Sequence, residues 1–387
     1  MMRRTNSVDD ETIKTMLAER IAAGDFPSAV YVVAEKGRTR LSGALGDAVR
    51  EPVRHAATLD TIYDLASLTK PLVTGLLCAL LSERGALETE RAVAHYLPEF
   101  AAREDKRDIT VRQLLTHTSG LPAWRPLYLL TGGDRALALE TIAAQPLEYA
   151  SGTRVVYSDL GFITLGLLVE RITRHSLAEF ARQEIFAPLG LKRTFFNPAR
   201  ALQMGVAACE SGGNNYERGM CGDAAGGAAQ SFQWREDLIW GEVHDGNAHF
   251  LGGAAGHAGL FSDARETLRI AAQFLPAETR LLAPETCALF RTNMTAGLDE
   301  ARSFAWQLAA TKDSTASASL SPESFGHLGF TGTSCWIDPA HERIFILLTN
   351  RTHAARALPF VNINSVRRRF HTLAVEALEA GDTGDAR

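Results

Sequence analysis

Ser67 and Lys70 stand three residues apart at the head of an apolar run, DLASLTKPLVTGLLCALL, Asp64 to Leu81. On a helix, positions i and i+3 share a face, so an ammonium there lies within reach of the hydroxyl. Ser67 would occupy the first turn, where unpaired backbone N–H groups and the positive dipole end favour a forming alkoxide. Leucine and valine around the lysine predict a desolvated, less basic amine that can accept the serine's proton. The chemistry on offer is nucleophilic attack on a carbonyl. The same residues also fit an N-cap serine followed by an unrelated lysine, and the S-x-x-K pattern alone does not separate the two.

Tyr157 is the second candidate, in GTRVVYSDLGFITLGLLVERI, Gly152 to Ile172. Ser158 or Asp159 can cap the apolar helix that follows, leaving the tyrosine just ahead of it with its hydroxyl free to enter a cleft; a core anchor is the alternative. The third is GHLGFTGT, Gly326 to Thr333, where three glycines within a strand pattern suggest close backbone approach of a ligand. A bulge would also explain those glycines, and His327 alone fits a structural histidine. In GEVHDGNAHFLGGAAGHAGLFS, Gly241 to Ser262, residues His244, Asp245, His249 and His257 invite a metal reading. No cysteine accompanies them and the H-E-x-x-H spacing is absent, so a glycine-rich loop wall is preferred, with no metal and no cofactor. G-x-S-x-G, a Walker loop and a clear G-x-G-x-x-G are missing.

The elements that must position these residues are legible in outline. Glu11–Ala23 reads as an amphipathic helix, and Ser28–Glu35 with Arg40–Leu45 as a hairpin turning at Lys36-Gly37. Gly332–Asp338 and Arg343–Thr349 form a second strand pair, followed by a helix over Asn362–Ala380. From about Thr69 to Pro284 helical periods dominate, with capping signals at Thr110/Gln113 and Asp263/Glu266. Strands at both ends around a helical middle predict an α/β (α+β) unit whose sheet is built from both ends of the chain. Glu210–Gln230 and Thr311–Ser324 read as irregular loops or cleft walls.

At 387 residues, with 46% hydrophobic and 22% charged residues, the chain can bury a sizeable core. A net charge of −5 gives no reason to expect nucleic acid as a partner. Arg367-Arg368-Arg369, its one basic cluster, reads as a solvated helix face. Five scattered cysteines argue against a disulfide framework and for a reducing compartment. No signal peptide or membrane-spanning run is evident, so no membrane is expected and the expected location is cytoplasmic.

Taken in order, ASLTK (Ala66–Lys70), LLTHTSGLP (Leu114–Pro122), YSDLGF (Tyr157–Phe162), AGHAGLFS (Ala255–Ser262) and HLGFTG (His327–Gly332) resemble serine hydrolases of the penicillin-binding protein and class C β-lactamase superfamily. That superfamily includes esterases and D-amino-acid peptidases. The resemblance implies a β-lactamase/transpeptidase-like fold, read as one unit over 1–387. Its sheet lobe would span about 1–66 and 290–387, and its helical lobe about 67–289. It implies Ser67 as the acylated nucleophile, Lys70 as its proton partner and Tyr157 as the shuttle to the leaving group. The N–H groups of Ser67 and Phe330 would form the oxyanion hole, with His327, Gly329 and Asp159 lining the substrate site.

The chain departs from the pattern at two places. Asp159 stands where relatives carry asparagine, and His327 stands where many carry the lysine of Lys-Thr-Gly. A neutral imidazole holds a carboxylate poorly, so a neutral ester or small amide is favoured as substrate, with Arg351 the residue able to restore the charge. A β-lactamase or D-Ala-D-Ala carboxypeptidase is the alternative. A non-catalytic binding module is disfavoured, since Lys70 and Tyr157 are retained.

Overall fold

The computed structural model describes residues 10–212, 214–221, 232–353 and 360–384. The main sheet has seven antiparallel strands in the order β3-β2-β1-β10-β9-β8-β7. Its strands are β1 (Ser28–Glu35), β2 (Arg38–Val49), β3 (His55–Ala56), β7 (Gln307–Leu308), β8 (Phe325–Leu328), β9 (Ser334–Asp338) and β10 (Arg343–Thr349). The first hairpin pairs through β1 with β10, Tyr31 facing Leu347 and Val32 facing Ile346. Segments more than 300 residues apart in the chain thus share one ladder.

Every residue of β1 and β10 is buried because both faces of the sheet are covered. Alternate residues point to opposite faces. Val30, Val32, Ile344 and Ile346 join the core shared with the helical layer. Tyr31, Val33, Phe345 and Leu347 pack under α1 (Asp10–Ala22) and α5 (Asn364–Gly384). A strand buried on both faces reads as a continuous apolar run, as SAVYVVAE and RIFILLT do.

A second, three-stranded sheet, in the order β4-β6-β5, consists of β4 (Tyr63–Asp64), β5 (Phe195–Phe196) and β6 (Leu260–Ser262). It ties the chain entering Ser67 to the AGHAGLFS segment, with Leu65 N–H donating to Leu260 O at 2.8 Å. The helical layer supplies α2 (Leu76–Glu83), α3 (Asp159–Thr173) and α4 (Ala264–Ala271). Leu76, Leu77 and Leu80 of α2 are all buried, each worth roughly 1.5–3 kcal/mol of transfer free energy.

One expectation is corrected and two are refined. Arg367 is not solvated: it is 4% exposed and donates to Gly329 O and Thr333 O, since α5 presses that face onto the sheet. Thr311–Ser324 is irregular but packed, with Thr315 Oγ1 accepting from Trp336 Nε1 and Ser317 hydrogen-bonded to Thr372. Glu210–Gln230 holds a helix, Asn215–Cys221, while 213 and 222–230 lie outside the described residues. All five cysteines are buried and free. Among the described residues no helix is long and apolar enough to cross a membrane.

Candidate active site

Ser67 lies in a short 3-10 turn, Ala66–Leu68, rather than in the first turn of an α-helix. A π-helical stretch, Lys70–Gly75, with Pro71 in its first turn, leads on to α2. Ala66, directly before the serine, has φ +47°. That left-handed backbone costs a non-glycine residue about 1–2 kcal/mol and needs outside support. The buried Asp64 carboxylate supplies it, accepting the Ala66 N–H at 2.8 Å and the His244 N–H at 2.8 Å. The turn after β8 is clamped to the same place: Thr331 Oγ1 donates to Asp64 O (2.7 Å) and Thr333 Oγ1 to Leu65 O (3.0 Å). Gly329 is required there, since a Cβ would lie 1.9 Å from Thr333 Oγ1 and 2.6 Å from Leu65 O.

Lys70 is fully buried and its ammonium faces three oxygens: Ser67 Oγ at 3.0 Å, His257 O at 3.1 Å and Asp159 Oδ1 at 2.7 Å. Two hydrogen bonds and an ion pair with a carboxylate describe a charged lysine. Burial pulls its proton affinity down, but the Asp159 carboxylate and the Tyr157 hydroxyl outweigh that and leave it above the ordinary lysine value. This reverses the sequence expectation of a less basic lysine. The reason is Asp159, the first residue of α3, which the Ser158 N-cap delivers to the lysine.

Tyr157 stands just before that cap. Its hydroxyl engages Ser67 and Lys70; burial raises the phenol above its ordinary value, and the lysine's charge partly offsets this. The ring is bracketed by His117, 4.6 Å between centroids, and His327, 5.8 Å. His117 Nδ1 accepts the Ser158 N–H at 3.0 Å, fixing the helix start. His327 Nδ1–H donates to Leu328 O at 2.9 Å. Burial, with Lys70 and Arg302 close by, holds the His327 imidazole well below the ordinary histidine range, so it is neutral.

A cavity of about 540 Å³ opens onto Ser67, and Tyr157, Asp159, His327, Gly329, Phe330 and Arg351 all line it. The expected catalytic and substrate-binding residues therefore all meet here, Lys70 from behind Ser67. Of the four residues that invited a metal reading, His244 and Asp245 line the cavity, His257 contacts Lys70 and His249 pairs with Glu242 instead. Arg351 donates through Nε to Phe330 O (2.7 Å) and through Nη1 to Val361 O (2.9 Å), so it braces the Phe330 turn while facing the cavity. Asp159, Asp245 and His257 present ligand atoms within 4.8 Å of one another. The Lys70 ammonium, 2.7 Å from Asp159, already brings a positive charge to that cluster.

Sequence reasoning missed several residues of the cavity wall. Arg302 is 5% exposed, pairs with Glu300 at 2.6 Å and sits 5.8 Å from the Tyr157 ring. Arg367 and Glu217 also line the cavity, and burial pushes the Glu217 carboxyl upward. Glu217 lies in the Glu210–Gln230 segment read as a loop or cleft wall, which marked the stretch but not the residue, whereas Arg302 carried no sequence signal. Arg367 was visible only as part of a basic cluster.

Known proteins resemble this chain throughout. A family model described as Beta-lactamase matches residues 13–366. A "Putative D-alanyl-D-alanine carboxypeptidase" of Escherichia coli (strain K12) is 32% identical over 337 residues, 82% of this chain and 74% of that protein. Among solved structures, EstCE1, a hydrolase with promiscuous acyltransferase activity, superposes with a TM-score of 0.72 at 21% identity, covering 96% of this chain and 98% of the other. A beta-lactamase/D-alanine carboxypeptidase from Pseudomonas syringae gives 0.70 at 19%, covering 96% and 98%. At such identities the structural likenesses speak for the fold, and the expected β-lactamase/transpeptidase-like architecture is what they share. With the family model spanning nearly the whole chain, the protein belongs to the beta-lactamase family and is a serine hydrolase.

Proposed function

We propose that Ser67 is acylated by a carboxylic ester or small amide and that water then releases the acyl group. The observation that carries this reading is the 3.0 Å contact between Ser67 Oγ and Lys70 Nζ at the floor of the cavity, with the Tyr157 hydroxyl on the same pair. Lys70 and Tyr157 together take the serine's proton and return it to the leaving group. Because the lysine rests as an ammonium, the reactive form is the one in which the pair has lost a proton, and the two groups titrate as a unit. The Ser67 and Phe330 amides receive the developing oxyanion. In this reading 1–387 acts as one hydrolase unit, the sheet lobe (about 1–66 and 290–387) and the helical lobe (about 67–289) meeting at Ser67.

A neutral His327 favours substrates without a carboxylate at that point. A D-Ala-D-Ala carboxypeptidase is the second reading. It is favoured by the name of the Escherichia coli relative and by three arginines, Arg302, Arg351 and Arg367, on the cavity wall. Intact-mass spectrometry after incubation with p-nitrophenyl esters, D-Ala-D-Ala peptides and β-lactams decides between them. An acyl adduct on Ser67 from the esters alone supports the first reading, and one from the D-peptides the second. Ester hydrolysis by Ser67→Ala at the wild-type rate would sink both.

A further inference from the structure

Two residues that the serine, lysine and tyrosine do not account for, Asp245 and His257, close a ring of hydrogen bonds around the nucleophile. His257 O accepts from Lys70 Nζ at 3.1 Å, and His257 Nε2–H donates to Asp245 Oδ1 at 2.8 Å. Asp245 follows His244, whose N–H is donated to Asp64 Oδ2, and Asp64 Oδ1 accepts the amide of Ala66, next to Ser67. The ring therefore runs from Ser67 through Lys70, His257, Asp245, His244, Asp64 and Ala66 back to Ser67.

Its members are held from outside as well. Asp245 caps the helix Gly246–Phe250 through the Ala248 N–H at 2.7 Å. Gly256, beside His257, accepts from Thr74 Oγ1 at 2.7 Å, and a Cβ on it would lie 2.0 Å from Phe162 O, so the loop packs directly on α3. His257 is 1% exposed, while Asp245 reaches the cavity wall. Asp245 thus brings a second carboxylate beside Asp159, the partner of Lys70, with one ligand atom each of Asp159, Asp245 and His257 lying within 4.8 Å of one another.

From this geometry we propose that Asp245 and His257 are positioning residues for Lys70, His257 fixing the ammonium and Asp245 fixing both the imidazole and the lysine's charge. The proposal deepens the acyl-enzyme reading and rests on it. A carboxylate near an ammonium favours the charged form. The Asp245 carboxyl fits such a role: burial pushes it up, but His257, the Ala248 amide and Lys70 hold it below the ordinary carboxylate range. Lys70 is also faced by Asp159 and Tyr157, with His117 and His327 behind the tyrosine, Arg302 over its ring and Glu217 next to Asp245.

The test is the pH profile of kcat/KM for p-nitrophenyl butyrate in wild type, Asp245→Asn, Asp245→Ser and Asp159→Asn/Asp245→Asn, with melting curves for each. Asn and Ser both keep an oxygen for the helix cap, so folding and charge are separated. The expected result is an acid limb displaced to lower pH by about one unit in each single Asp245 variant, and further in the double variant. His257→Gln should lower kcat several-fold with KM little changed. An acid limb that stays at the wild-type pH in both folded Asp245 variants overturns the proposal. Loss of the acyl-enzyme reading looks different: Ser67→Ala would then keep the activity, wherever the limb lies.

Discussion

Two lysines of this protein expose no side-chain surface to solvent and behave in opposite ways. Lys70, at the nucleophile, meets the Asp159 carboxylate at 2.7 Å and is held above the ordinary lysine value. Lys106, in the helical layer, donates to the carbonyls of Ala143 (2.7 Å) and Gln145; burial, helped by the nearby Arg103 guanidinium and only partly offset by the Asp105 carboxylate, pulls it below that value. Carbonyl dipoles satisfy the N–H bonds of a buried ammonium without cancelling its charge, whereas a carboxylate does both. Burial alone therefore does not set a lysine's proton affinity; the formal charge of its partner does. The less basic lysine anticipated at position 70 exists in this molecule, but at position 106.

The most forceful way to break this contrast is to remove each lysine. Lys70→Met should lower kcat/KM for p-nitrophenyl butyrate by roughly 10³-fold or more, as loss of one member of a catalytic unit does. Lys106→Met should leave it within about twofold, because the partners of Lys106, Ala143 and Gln145, are not part of the cavity lining. Equal losses in the two variants would erase the distinction. Gly329→Ala comes next: its Cβ would collide with Thr333 Oγ1 and Leu65 O and push the β8 turn off the Ser67 turn. Misplacement on that scale costs about 100-fold in kcat/KM, with acylation of Ser67 by a fluorophosphonate slowed in step.

Asp159→Asn sharpens the comparison by giving Lys70 the kind of partner Lys106 has. Losing the carboxylate lowers the lysine's proton affinity, so the acid limb of kcat/KM should move down by about one pH unit. The smallest effect is on stability. Lys106→Met leaves two carbonyls unpaired and should cost about 1–3 kcal/mol by urea unfolding. For Lys106 the folded value lies below the unfolded one, so the unfolded chain binds more protons and its contribution to stability grows as pH rises toward the ordinary lysine value. The Lys106→Met deficit should therefore widen as pH rises toward the ordinary lysine value. Lys70 has the opposite sign: its contribution is full below the ordinary lysine value and is lost as pH climbs through the raised folded one.

Much of the fold and the site could be read from the chain. Continuous apolar, β-branched runs in SAVYVVAE and RIFILLT announce strands, S-x-x-K puts Ser67 and Lys70 on one helical face, and Ser158 marks a helix start with Tyr157 ahead of it. These are local signals, fixed by periods of two and of three to four residues and by capping chemistry. Asp245 and His257 were noticed as residue types, His257 within AGHAGLFS, but no local signal joined them to each other or to Lys70. They lie twelve residues apart, with a short helix and a glycine-rich loop between them, and only packing on α3 brings them together. Arg367 misled for a related reason, since three adjacent arginines on a helix point in different directions and one must face the sheet.

The sequence by itself determined which groups could react: a serine with a lysine three residues on, a tyrosine before a capped helix, and a glycine where two turns must touch. Those properties follow from side-chain type and short-range backbone geometry, which neighbouring residues enforce. The tertiary structure alone decided the charge state in which they wait. A proton affinity depends on what lies within a few ångströms through space, and around Lys70 those neighbours, Asp159, Tyr157 and the His257 carbonyl, arrive from segments that are 87 to 187 residues away along the chain.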